Sequence, residues 1–141
     1  MRILSRWTLP LFCITCIVSN LNIYSQAHSA GRVERPSSCE QARAILDVAL
    51  AAVAKTEKSY VIFVFRLGTG ERSEKINYRR IDVVRKHIHY RIPGFERFIL
   101  VRGDPSQGLA RVDVFVEGFL YESIIVGRGK ILGDNCLVGT D

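Results

Sequence analysis

"SYVIFVFRLGTGERSEKINYRRIDVVRKHI", residues 59 to 88, decides the fold. Its first part, "SYVIFVFRL", is almost wholly β-branched or aromatic, the composition of a strand. It shows little alternation, which predicts a strand covered on both faces or central in its sheet. Gly68 and Gly70 end that strand. Thr69 or Ser73 is then placed to cap a helix, as hydroxyl side chains do when they accept from the first free N–H groups. The helix directs Ile76, Ile81, Val84 and Ile88 inward, and Arg79, Arg80, Arg85 and Lys86 crowd its surface. Pro93-Gly94 stops it, since proline cannot continue the backbone hydrogen bonding and glycine suits the exit.

Before this stretch, Ser37 with Glu40, or Ser38 with Gln41, has the spacing of a capping box. Ala42, Ile45, Leu46, Ala49, Leu50 and Val53 follow on one apolar stripe, so a helix is expected from about residue 37 to Lys55 or Lys58. After it, "RFILVR" (97–102) reads as a strand and "GDPSQG" (103–108) as a turn. "RVDVFVE" (111–117) alternates apolar with charged residues, as a strand with one wet face does. Gly118-Phe119 offers a tight turn into "LYESIIV" (120–126). The order α-β-α-β-β-β predicts a two-layer α/β (α+β) sandwich, two helices on one face of a mixed four-stranded sheet. The strand–helix–strand unit should be a right-handed parallel crossover. The last three strands are expected to form an antiparallel meander.

The chain has 141 residues and a formal net charge of +6. Its first 27 residues join a positive start (Arg2, Arg6), an apolar centre ("LPLFCITCIVS") and a small-x-small end, Ser25-Gln26-Ala27. That is the pattern of a cleaved signal peptide, with a second possible cut after Ala30. The run is short and interrupted by Pro10 and "SNLN", so it makes a poor membrane span, and none is expected after cleavage. Cleavage would remove two arginines and no acid, which leaves 6 − 2 = +4. Residues 28–36 read as a linker and 37–141 as one domain. Export to the periplasm or the outside is therefore expected, where the anionic partners are wall polymers, lipid headgroups and acidic glycans rather than nucleic acid. Cys39 and Cys136 remain after cleavage, and an even pair in an oxidising compartment predicts a disulfide. Such a bridge is worth about 4 to 5 kcal/mol at most in the chain-entropy model.

No pattern points to catalysis. His87 and His89 are two apart and do not share a helix face, so neither a metal nor another cofactor is expected. Glu71, Asp82, Asp113 and Glu117 show no pairing legible in sequence, and "GTGER" lacks the Lys-Ser/Thr of a phosphate loop. The basic helix behind a glycine turn is different. A helix N-terminus offers free N–H groups to an anion, and a guanidinium one or two turns on can fork onto a carboxylate.

At these residues the chain resembles the carboxy-terminal, peptidoglycan-binding domain of outer-membrane protein A and flagellar motor protein B. "INYRRIDVVRKHI" (76–88) is similar to the family's helix, with Ile76, Asn77, Arg80 and Val84 at its Leu, Ser, Arg and Val. Gly103-Asp104-Pro105 lies where the family has a glycine-rich turn, and "RVDV" (111–114) is similar to its closing strand. The likeness covers residues 60 to 117. It implies an exported, non-catalytic module binding peptidoglycan or another anionic cell-envelope ligand. The grip is implied to come from Arg80, with Glu71, Asn77 and Arg66 around it. The family's loop Asp, which shares that grip, falls at Phe65, and its motif Asn at Ser73. The departure admits an alternative: a structural or protein-interaction domain on the same scaffold, partnered by another envelope protein, with wall binding lost.

Overall fold

The computed structural model describes residues 34–132, all within one compact unit, Val33–Asp141. The expected signal peptide, most of the linker and Cys136 lie outside the described residues.

Helix α1, Cys39–Ala54, begins where Ser38 accepts a hydrogen bond from the Gln41 amide at 3.2 Å. Its buried residues are Ala42, Ile45, Leu46, Ala49, Leu50 and Val53, the whole of the expected stripe. Strand β1, Val61–Arg66, leads through the glycine turn to α2, Glu74–Arg91. Ser73 occupies the N-cap position of α2 but makes no side-chain capping bond. Strands β2 (Phe98–Arg102), β3 (Ala110–Val116) and β4 (Phe119–Val126) complete the order α-β-α-β-β-β.

The sheet runs β2-β1-β3-β4. Strand β1 pairs parallel with β2 and antiparallel with β3, and β3 pairs antiparallel with β4. This corrects the expected meander of the last three strands: β2 and β3 flank β1 on opposite sides. The most apolar strand thereby gains a partner on each edge, and the 103–109 connection passes over its end. There Leu67 O accepts from the Ser106 amide (2.8 Å) and Gly108 O from the Thr69 amide (2.8 Å). A Cβ on Gly68 would stand 2.5 Å from the Ala110 nitrogen, so the crossing needs glycine. The hairpin turn also differs by one residue. Glu117 and Gly118 both take positive φ (54° and 84°), the primed-turn geometry that matches strand twist.

Both helices cover one face. Val61, Phe63 and Phe65 of β1, Val112 and Val114 of β3 and Ile124 of β4 are buried there with the α1 stripe and with Ile81, Val84 and Ile88 of α2. The residues between them, Ile62, Val64 and Arg66, are only half buried. Strand β1 is therefore central but, among the described residues, covered on one face alone. Asp113 departs from the expected wet face of β3, being 5% exposed.

Candidate functional site

Arg80 is the largest fully buried side chain among the described residues, 1% exposed. It lies on the inward face of α2 because it follows Asn77 by three residues and precedes Val84 and His87 by four and seven, all of them buried. Its guanidinium points at the glycine turn, as the sequence suggests, but exposure is lost. Nη2 donates to Glu71 Oε1 (2.8 Å) and Nη1 to Glu71 Oε2 (2.9 Å), the two-pronged geometry of an Arg–carboxylate fork. Nε and Nη2 both donate to the Lys130 carbonyl (3.0 and 2.8 Å). The remaining Nη1 hydrogen meets Asn77 Oδ1 at 3.5 Å. All five donors are engaged within the chain.

Glu71 completes the arrangement. Besides Arg80 it accepts from the Gly68 amide (3.1 Å) and the Gly129 amide (2.7 Å). Burial by itself pushes its pKa up. The hydrogen bonds from Arg80, Gly129 and Gly68, with the charge of Arg80, outweigh burial and bring it down to about 2. Asn77 donates to the Phe65 carbonyl at 3.5 Å, and Arg128 donates to the Thr69 carbonyl at 2.7 Å. The pair thus ties together the turn, α2 and the 127–130 segment. A buried pair of this kind is costly to break because either partner alone is left charged and unsolvated.

Of the four expected ligand contacts, Glu71, Asn77 and Arg80 come together and Arg66 does not. Arg66 is on the opposite face of the sheet, where its Nε donates to Asp113 Oδ2 at 2.7 Å. Phe65, at the place of the family's loop Asp, is completely buried in the core. The rest of the basic helix faces solvent. Lys86 pairs with Asp82 (2.8 Å), while among the described residues no ion pair engages Lys75, Arg79 or Arg85. Arg102 of β2 pairs with Glu74 (3.1 Å) and stands over the Tyr78 ring.

A second polar cluster was not legible in the sequence. His87, 1% exposed, meets Asp47 of α1 at 2.9 Å, and Arg91 grips the same carboxylate. Beside it is an open cleft of about 270 Å³ lined by Asp47, Leu50, Ala51, Arg91 and Ile92. Its charged groups are already paired with each other, and no hydroxyl or thiol side chain lines it. Among the described residues no group of three or more His, Cys, Asp or Glu is placed to hold a metal ion, and no helix is long and apolar enough to cross a membrane.

Compared with protein-family models, curated proteins and solved structures, the chain matches none.

Proposed function

We propose that the domain is an exported, non-catalytic protein-interaction module in which the turn–helix site is an internal lock. The observation that carries this reading is the saturation of Arg80: a guanidinium with five engaged donors and 1% exposure has nothing to offer a wall peptide. The resemblance to peptidoglycan-binding domains then bears on the scaffold, with the gripping Asp replaced by the core residue Phe65. Export rests on the Arg2/Arg6 start, the apolar centre and the Ser25-Gln26-Ala27 end.

A second reading, binding of an anionic envelope polymer, is favoured by one feature. Lys75, Arg79 and Arg85 stand in solvent beside the exposed rings of Tyr78 and Tyr90.

Sedimentation of the mature protein with insoluble peptidoglycan tests both. The interaction module stays in the supernatant at physiological salt. Retention that collapses at high salt and with Arg79→Gln/Arg85→Gln supports the second reading, because exposed charges are screened. Salt-resistant retention competed by a free diaminopimelate-bearing wall peptide would overturn the lock.

A further inference from the structure

The face of the sheet turned away from the helices carries a pattern of its own. Ile99 pairs with Ile62, Ile62 with Phe115, and Phe115 with Leu120, so each of the four strands places one apolar side chain in a single row. Ile99 is 42% and Leu120 56% exposed. Val101 and Val64 extend the apolar area along the strands. Contiguous exposed apolar surface of this kind marks interaction sites.

The other end of the same face is cationic. Arg66 and Arg111 stand side by side in register and share one carboxylate, Asp113. Asp113 is already committed: Oδ2 takes the Arg66 Nε hydrogen at 2.7 Å and Oδ1 the Ser123 hydroxyl at 2.7 Å. The Nε of Arg111 lies 3.2 Å from Oδ1 yet makes no hydrogen bond. One guanidinium of the two is therefore in surplus, on a side chain 37% exposed.

We propose that this face docks an amphipathic helix of another protein, its apolar stripe over the Ile62–Phe115 row and a carboxylate at Arg111. The proposal rests on the interaction reading above and names its partner. A helix fits better than an added strand, because an added strand would pair with the backbone of one edge, whereas the apolar row crosses the face from β2 to β4. Another protein fits better than a second copy. Among the described residues the face supplies no free acid, so self-association would set guanidinium ends against each other or against apolar rows. Rows at residues 62 and 66 are four residues apart, about 13 Å along a strand. A helix rises about 1.5 Å per residue, and the same-face spacing nearest that distance is about eight residues, roughly 12 Å. The partner's acid should therefore follow or precede its apolar anchor by about eight residues, on the same side of the helix.

The test uses the full chain, in cells that make it, with a photoreactive benzoyl-phenylalanine at Leu120. The expected product is an adduct to one other protein, in a helix-forming segment apolar at i, i+3, i+4 and i+7 with an acid about eight residues from the anchor on the same side. Arg111→Glu should lower the adduct yield about tenfold, as loss of a charge-assisted contact does, and reversing the partner's acid to Arg should restore it. Arg111→Gln, which leaves the Arg66–Asp113 pair intact, should melt as the parent does and lose yield as well. An adduct to an extended or acid-free segment would overturn the helix assignment and leave the interaction reading standing. An adduct to a second copy or to lipid, or no adduct at all, would overturn both.

Discussion

The two faces of the sheet are built from the same strands and have opposite fates. Phe63 is wholly buried beneath the helices, while Ile62, its neighbour in the chain, is half buried on the other side. "VIFVF" is apolar at every position, which is the pattern of a strand buried on both sides. The described residues bury one side only. A strand whose composition suits two covered faces and whose fold covers one carries apolar surface beyond what its own folding uses. The contrast separates residues that hold the domain together from residues free to serve a partner, and stability measurements can break it.

The largest effects belong to the inner side. Phe63→Ala should cost about 3 to 5 kcal/mol in chemical denaturation, the price of a large buried truncation. Arg80→Ala should cost a similar amount, about 3 to 5 kcal/mol, because Glu71 is left charged and buried without its partner. A much smaller loss for Arg80→Ala would mean that water reaches Glu71 and that the lock is not closed.

Acid should act on the same lock. The folded-state pKa of Glu71 is depressed from 4.5 to about 2. Its contribution is therefore fully present above pH 4.5 and is lost as pH falls through about 2. The difference corresponds to about 3 kcal/mol. Glu71→Gln should be the less stable protein at pH 7 and should show a flatter decline between pH 5 and 2. Parallel declines for parent and variant would place the acid sensitivity elsewhere.

The helix α1 was legible in the sequence down to each buried residue, because its cap and its apolar period are both local signals. Helix α2 was legible only in part. Its inward face includes Asn77, Arg80 and His87. Polar residues are tolerated there because distant groups satisfy them: Glu71 and the Lys130 carbonyl for Arg80, Asp47 for His87. The positions 77, 80, 84 and 87 do follow helical spacing, so the stripe is visible once polar residues are admitted to it. Asp113 hid in the same way, since alternation marks which face a residue joins and says nothing of an arginine waiting on the next strand. Strand order was the least legible part. The meander and the observed β2-β1-β3-β4 order have the same sequence of elements, and only long-range pairing distinguishes them.

An intermediate effect is expected at the polar end of the outer face. A double-mutant cycle of Arg66→Ala and Asp113→Ala should give a coupling of about 1.5 kcal/mol, that of a hydrogen bond between charged groups with one partner well buried. A coupling near zero would show that Arg111 replaces Arg66 on Asp113 without loss, and the surplus guanidinium would then be either arginine rather than Arg111 alone.

The smallest effect is the most informative about the outer row. Leu120 pairs with Phe115 and is 56% exposed, and Ile99 is 42% exposed on the edge strand. Threonine keeps strand propensity while removing most of the apolar area. Leu120→Thr and Ile99→Thr should therefore each change the unfolding free energy by less than about 0.5 kcal/mol, the usual range for surface substitutions that break no buried contact. Free energy spent on those side chains in folding would appear as a loss several times larger. Such a loss would mean that the face is already covered by the chain itself, and the row would have no surface left for a partner. A near-zero change in stability joined to a loss of the crosslinked adduct would instead assign the exposed apolar area of this row to binding.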